Sequence, residues 1–319
     1  MPASSTYSDV STADSIEPSI PASSSSPPST SSLINKSGGD LSVVDLICAD
    51  MDGTLLSPDH NIPDITFNRI NKADNNGCPV VPATGRSRAS AVQCFARGGI
   101  DLYSRPGIYL NGAITYDHTG AVVAEKIHSY TDIVEAVRVV EGVDDVVVLL
   151  YNGDRVLAPC SSGRIEEIYE SLHTPCPENC GSYEKMLSKI HDEAIPINLI
   201  HFMSLEGRLP EDMLRKIRTF SESSGCTAAQ SLWRSCDVVP AGVNKGLGVR
   251  VLKENQGYER VACIGDALND LEMLQEADVP VAMGNALPEI KKIASLEVNP
   301  NSNSELPGVA DLVDRILSS

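Results

Sequence analysis

The chain has 319 residues and a formal net charge of −18, with 43 acidic and 25 basic side chains. Such an acidic balance argues against binding to nucleic acids or to anionic membranes, because both need a basic surface. The sequence has no apolar run of about 18 residues, the length that a membrane-spanning helix requires. The length is sufficient for two domains.

Residues 1–40 differ in composition from the rest of the chain, because 22 of them are Ser, Thr or Pro. Such a segment buries too little apolar surface to offset chain entropy, so a disordered tail is predicted. An organellar transit peptide is the alternative, although this segment has no Arg and carries Asp9, Asp14 and Glu17. The nine irregularly spaced cysteines and the lack of a secretory signal favour a reducing compartment. A cytoplasmic location is expected, with organellar targeting left open.

From residue 43 the pattern is that of an α/β protein. Apolar segments short enough for strands alternate with helical patterns that begin or end at Pro, Gly or Asn. The predicted strands cover residues 43–49, 79–83 and 108–110, and the predicted helices cover 64–75 and 87–97. Three strand–helix alternations with polar residues after the strands indicate a doubly wound parallel sheet.

The middle of the chain has a different, α+β pattern. His201 lies in an apolar strand and is interpreted as a packed strand histidine rather than a catalytic one. Helices are predicted at 130–141, 163–173 and 210–223, strands at 146–151, 155–159 and 197–204, and one or two strands within 227–236. This block is large enough for a core of its own.

The first pattern then resumes, so one α/β domain is interrupted by an insertion. Helices are predicted at 244–254, 288–294 and 308–317, and strands at 261–264 and 279–283. The predicted fold is a doubly wound, Rossmann-like parallel sheet with an inserted α+β domain. The predicted divisions are a tail at 1–40, a core domain formed by 41–112 and 236–319, and an insert at 113–235.

The most informative motif is Asp50-Met51-Asp52-Gly53-Thr54-Leu55, which follows the first strand. An ionised carboxylate at a strand end can attack phosphorus, and a second carboxylate two residues later can act as acid and base. Repulsion between the carboxylate and a phosphate dianion requires a divalent cation between them. An ordinary strand followed by an Asp-Gly turn is the alternative.

Three further polar clusters follow strands or begin a helix. The hydroxyl of Thr84 and the backbone near Gly85 can hold phosphate oxygens. Lys245, at the start of a helix, is a point charge suited to phosphate, although a lone helical lysine usually faces solvent. The segment Gly265-Asp266-Ala267-Leu268-Asn269-Asp270 supplies the oxygen ligands that Mg²⁺ prefers, with an Asn/Asp-rich loop as the alternative.

The order of these clusters resembles that of the haloacid dehalogenase-like (HAD) superfamily, and more narrowly its Cof-type sugar phosphatase branch. The matching segments are Asp50–Leu56, Ala83–Arg86, Asn111–Ala113, Asn244–Gly246, Gly265–Asp270 and Gly308–Ala310. The resemblance covers roughly residues 43–317, and the insert occupies the position of the family's type 2 cap.

The resemblance implies a role for each matched residue. Asp50 would be the nucleophile and a metal ligand, and Asp52 the acid/base, with its backbone carbonyl also on the metal. Thr84 and Lys245 would bind the phosphoryl group. The implied metal ligands are Asp50, Asp52, Asp266 and Asp270, and the implied substrate-binding residues are Gly85, Arg86, Asn111 and Asn269.

The resemblance therefore predicts a Mg²⁺-dependent phosphatase for small phosphorylated metabolites, with sugar phosphates first and pyridoxal phosphate or flavin mononucleotide as alternatives. A phosphomutase uses a similar aspartate pair and stays open. An inactive regulatory relative is disfavoured because no motif residue is lost, and a dehalogenase is disfavoured because those relatives lack the residue that Asp52 provides. A monomer or weak homodimer is expected.

Overall fold

The computed structural model describes residue 41 and residues 43–172, 174–230 and 233–319. The tail predicted for residues 1–40 lies outside the described residues. The helices are α1 Asp64–Asn75, α2 Arg88–Phe95, α3 Tyr130–Val139, α4 Gly163–Ser171, α5 Tyr183–Asp192, α6 Glu211–Ser223, α7 Lys245–Gln256, α8 Leu271–Glu276, α9 Pro288–Ile293 and α10 Gly308–Leu317. The strands are β1 Leu46–Ala49, β2 Val80–Pro82, β3 Gly107–Tyr109, β4 Ile114–Tyr116, β5 Val122–Glu125, β6 Val146–Asn152, β7 Arg155–Ala158, β8 Glu178–Asn179, β9 Leu199–Ser204, β10 Thr227–Ala229, β11 Ser235–Val239, β12 Val261–Gly265, β13 Val279–Ala282 and β14 Leu296–Glu297.

A parallel sheet with strand order β14-β13-β12-β1-β2 forms the centre of the fold. Successive side chains of a strand point to opposite faces, so a strand buried on both faces must be apolar throughout. In β1, Leu46 and Cys48 pack on the side of α7 and α8, whereas Ile47 and Ala49 pack on the side of α1 and α10. The predicted α/β fold with a parallel core sheet is confirmed.

The second large sheet is mixed, with strand order β10-β11-β9-β6-β7-β8. Alternate residues of β6, such as Val148 and Leu150, pack with α3, α5 and α6. Leu149 and Tyr151 point to the opposite face and join the larger hydrophobic cluster. This sheet therefore has one face covered by its own helices and a second face that is available to line a pocket.

The short strands β3, β4 and β5 form a third sheet, which contacts α7. The backbone turns between β3 and β4 at Asn111 and Gly112, which have φ of +54° and +96°. A Cβ at Gly112 would lie 2.1 Å from the carbonyl oxygen of Asn244, the residue that precedes α7. Only glycine allows this approach of the two backbones. The division of the chain into core and insert stays a prediction.

Several helices have the bounds that the sequence predicts, and two helices, α5 and α8, were missed. Helices α1 and α10 match the predicted ranges 64–75 and 308–317. Helix α5 was not predicted, although Ser182 caps its first turn and Met186 and Ile190 are buried at helical spacing. The short strands β4 and β5 were not predicted either, because β5 has no buried residue to give it an alternating pattern.

We predict that Gly112→Ala lowers the free energy of unfolding by roughly 2–4 kcal/mol, because an alanine there combines a disfavoured φ with backbone overlap. Thermal unfolding followed by circular dichroism measures the change. Gly163→Ala is the matched control, since nothing lies within 4 Å of a Cβ at that helix start. Equal melting temperatures for Gly112→Ala and the wild type would contradict the close approach.

Candidate active site

The loop after β1 brings Asp50 to the carboxyl edge of the parallel sheet. The backbone N–H of Asp50 donates to the carbonyl oxygen of Ile264 in β12 at 3.0 Å, which continues the pairing of the two strands. Gly53 has φ of +87°, and a Cβ there would lie 2.4 Å from a carboxylate oxygen of Asp266. Glycine at this position therefore lets the carboxylate of Asp266 approach the Asp50 loop.

Lys245 is the buried cation of the site. Asn244 caps α7 by accepting the N–H of Leu247 at 2.9 Å, so Lys245 is the first residue of the helix. The fully buried ammonium donates to Asp50 Oδ1 at 2.5 Å and to Asp270 Oδ1 at 2.7 Å. Burial opposes the charged form, but the two carboxylates outweigh it and raise the pKa of Lys245 above its usual value.

Three carboxylates crowd around this lysine, since oxygens of Asp50, Asp266 and Asp270 lie within 4.8 Å of one another. Burial raises the pKa of Asp266 to about 6, and repulsion from Asp270 adds to the rise. Burial also raises the pKa of Asp50, against the attraction of Lys245. One ammonium group leaves an excess of negative charge, so these buried oxygens fit a divalent cation such as Mg²⁺.

Asp270 has little capacity left for a further ligand. Its Oδ2 accepts the backbone N–H groups of Asp266 at 2.9 Å and Ala267 at 3.1 Å, while its Oδ1 accepts from Lys245. Asp266 is less occupied, although its Oδ1 accepts from the hydroxyl of Thr54 at 3.1 Å. Asp270 therefore joins the loop after β12 to Lys245. Asp266 has more oxygen lone pairs left to bind a cation.

Asp52 forms a bidentate ion pair with Arg86. Nε and Nη2 of Arg86 donate to the two carboxylate oxygens at 2.7 and 2.6 Å, and Nη1 donates to the carbonyl oxygen of Leu172 at 3.0 Å. Burial alone would raise the pKa of Asp52, but the hydrogen bonds from Arg86 and the nearby imidazole of His60 outweigh it and lower the pKa below its usual value. Asp52 is therefore held ionised in this arrangement.

The remaining sequence-predicted residues lie around the same point. The hydroxyl of Thr84 accepts the N–H of Arg86 at 3.1 Å, and a Cβ at Gly85 would touch the side-chain amide of Asn111. The Nδ2 of Asn269 donates to Oδ1 of Asn111 at 3.4 Å. Motifs that are far apart in the sequence are thus brought together at one edge of the parallel sheet.

A cavity extends from Asp50 and Asp52 to the six-stranded sheet. That sheet contributes residues that the sequence analysis did not assign to a site, among them Tyr151, Leu199, His201, Met203, Arg234 and Asp237. The alternation of side chains along β9 and β11 is the sequence signal that groups these residues. Residues 199, 201 and 203 share one face of the sheet, as do 235, 237 and 239. The sequence alone does not indicate which face meets the core.

His201 and Asp237 link this wall to the core. The Nδ1 of His201 lies 2.6 Å from Oδ1 of Asp237, and Nδ2 of Asn111 donates to Oδ2 of Asp237 at 3.1 Å. The imidazole also makes an edge contact with the ring of Tyr151, with 5.9 Å between centroids. His201 is packed, as the sequence predicts, and it also lines the cavity.

Comparison with known proteins identifies the family. The family model for haloacid dehalogenase-like hydrolases matches residues 47–313. The chain belongs to this family. It resembles a haloacid dehalogenase-like hydrolase from B. subtilis with a TM-score of 0.73 and 22% identity, covering 85% of this chain and 99% of that one. The HAD, Cof-type resemblance predicted from the motifs is thereby confirmed.

Two relatives with different names are similar in sequence to this HAD-like chain. It is 24% identical over 269 residues to the pyridoxal phosphate phosphatase YbhA of Escherichia coli, covering 82% of this chain and 95% of the relative. It is 28% identical over 280 residues to a chloroplastic endoribonuclease YBEY of Arabidopsis thaliana. That match covers 84% of this chain but only 46% of the relative, so the chain spans about half of that protein. No described helix is long and apolar enough to cross a membrane.

We predict that Asp266→Asn raises the melting temperature of the metal-free protein at pH 7.5. The folded-state pKa of Asp266, about 6, exceeds the unfolded value, so its ionisation above that pH costs stability. Removing this cost, roughly 1–3 kcal/mol, corresponds to an increase of several degrees. The gain should shrink as the pH falls below about 6 and vanish near pH 3, where the carboxyl group is mostly protonated in both states.

Asp59→Asn is the control, because Asp59 is exposed in the loop after the Asp50 motif. Added MgCl₂ should raise the melting temperature of the wild type and of Asp59→Asn, but should raise that of Asp266→Asn much less. A destabilised Asp266→Asn variant at pH 7.5 would contradict the charge crowding.

Proposed function

We propose that this HAD-like protein is a Mg²⁺-dependent phosphatase that hydrolyses small phosphorylated metabolites through a phosphorylated Asp50. Sugar phosphates are the substrate class that we propose. The contact of the buried Lys245 with Asp50, which lines the cavity, carries the proposal. A carboxylate that shares a buried ammonium and faces a cavity can receive a phosphoryl group whose charge is neutralised on arrival. The family match and the phosphatase names of relatives support this activity.

The residues that would hold the cation are Asp50, Asp266 and the backbone carbonyl of Asp52, with Asp270 supporting them. The ion would neutralise the charge between the carboxylates and a phosphate dianion. The buried excess of negative charge around Lys245 supports this assignment. The raised pKa of Asp266 has a further consequence, since protons should compete with the cation below about pH 6.

In the proposed mechanism, an Asp50 carboxylate oxygen forms a bond to phosphorus while the ester P–O bond breaks. Asp52 gives its proton to the departing alcohol oxygen. Water then attacks the phosphoryl group, Asp52 takes the proton of that water, and the bond between Asp50 and phosphorus breaks. Thr84 and Lys245 hold the phosphoryl oxygens in both steps.

The ion pair between Asp52 and Arg86 requires one rearrangement before the first step. An Asp52 whose carboxylate is held ionised by Arg86 cannot donate a proton. A phosphate dianion entering the cavity offers the guanidinium a competing bidentate partner. We therefore propose that Arg86 transfers from Asp52 to the substrate, which frees Asp52 to take up from solvent the proton that it then delivers to the leaving oxygen.

The substrate side of the cavity would come from the insert, which we propose spans 113–235 between core parts 41–112 and 236–319. Its apolar and aromatic lining suits the body of a metabolite rather than a polymer. Pyridoxal phosphate, the substrate in the name of the YbhA relative, and flavin mononucleotide stay alternatives. A cytoplasmic location and a monomer or weak homodimer stay predictions.

We predict that the wild type hydrolyses p-nitrophenyl phosphate in MgCl₂ and loses this activity in EDTA. Asp50→Asn should lower kcat by at least about 10³-fold, because an amide is a poor nucleophile. Phosphate release measures the rate, and Asp59→Asn should retain wild-type activity. Beryllium fluoride should be trapped on the Asp50 carboxylate in a crystal structure.

Other outcomes would separate the alternatives. Full activity of Asp50→Asn would refute the nucleophile assignment. Transfer of phosphate between two positions of one sugar, with little free phosphate released, would favour the phosphomutase. No turnover of any phosphate ester by a folded, Mg²⁺-binding wild type would favour the inactive relative.

A further inference from the structure

Arg234 lines the cavity on the wall that faces away from Asp50. It directly precedes β11 of the six-stranded sheet. Among the residues that the structure describes, no carboxylate forms an ion pair with its guanidinium. The group lies over the ring of its neighbour Trp233, 4.8 Å from the centroid. By contrast, Arg155 of β7 is paired with Glu178, and Arg86 is paired with Asp52.

The surroundings of Arg234 make an incoming anion favourable. Partial burial and the nearby positive charge of Arg164 both lower the pKa of Arg234. A partly buried cation beside a like charge and without a carboxylate partner is in an unfavourable state, and an anion that binds there offsets the repulsion. Asp237 lines the same cavity, but its carboxylate already accepts from Asn111 and is paired with His201.

We propose that Arg234 binds a second anionic group, a carboxylate or a phosphate, at the far end of the substrate's leaving group. The protein would then prefer phosphorylated metabolites that carry a second negative charge. This assignment rests on the proposed function, because it takes the phosphate being removed to lie at Asp50. The neutral side chains of Tyr151, Leu199 and Met203 would face the uncharged middle of such a molecule.

A series of matched substrates tests the assignment. Each pair has the same chain length, and one member is an n-alkyl phosphate while the other is the phosphate ester of an ω-hydroxy carboxylic acid. The ratio of kcat/KM between the acid and the alkyl member measures discrimination for the second charge. At the chain length that spans the cavity, the wild-type ratio should exceed about 10.

Arg234→Gln should lower this ratio by roughly 10- to 100-fold at that length. A variant that is only structurally damaged changes both members of a pair and leaves the ratio unchanged. Arg155→Gln, which removes a paired arginine from the same sheet outside the cavity lining, should keep the wild-type ratio. A wild-type ratio near 1 at every chain length, or an unchanged ratio in Arg234→Gln, would overturn the proposal.

Equilibrium binding separates failure of this assignment from failure of the proposed function. Calorimetry in MgCl₂ on the Asp50→Asn variant, with and without Arg234→Gln, measures the affinity for both members of each pair without turnover. A selective loss of affinity for the acid member would support Arg234 even if no ester were hydrolysed. Equal affinities for both members with Arg234 present would refute it, whatever the activity on p-nitrophenyl phosphate.

Discussion

The buried ammonium of Lys245, shared by Asp50 and Asp270, is the contact on which the rest of the site depends. The three residues come from the end of β1, the start of α7 and the loop after β12, separated by 195 and 25 residues in the chain. A buried charge is tolerated only with partners, so removal of Lys245 would leave the carboxylates of Asp50 and Asp270 buried without their cation. The contact therefore ties the geometry of the site to the pairing of the parallel sheet.

The same contact leaves the site with unbalanced charge, because three carboxylates surround one ammonium group. A protein selected only for stability would replace one of these acids with an apolar or amide side chain. The proposed function accounts for the retained charge, since a divalent cation held there would supply the missing positive charge. Local instability and chemical competence thus have one origin, which is the crowding of Asp266 and Asp270 against Asp50.

The sequence predicts which core residues meet at the sheet edge, because each motif directly follows an apolar strand or begins a capped helix. In a parallel sheet those positions meet at one edge, so residues such as Asp50 and Lys245 could be brought together by reasoning from strand order. The opposite wall could not be predicted in this way. Alternation along β9 groups His201 with its neighbours on one face, but the choice of face depends on how the two sheets pack, which is a tertiary property.

Two polar connections join the cavity wall to the Asp50 edge of the sheet, and under the proposed function they would couple substrate binding to catalysis. Arg86 bridges Asp52 to the backbone of Leu172, and Asn111 bridges the core to Asp237. In the proposed mechanism, a phosphate that takes Arg86 from Asp52 would also weaken the hydrogen bond of Arg86 to Leu172, so release of Asp52 would accompany an adjustment of the wall. Solvent alone does not provide the competing dianion that this exchange requires. Asp52 would then be available as an acid when a substrate is bound, which limits its reaction with water alone.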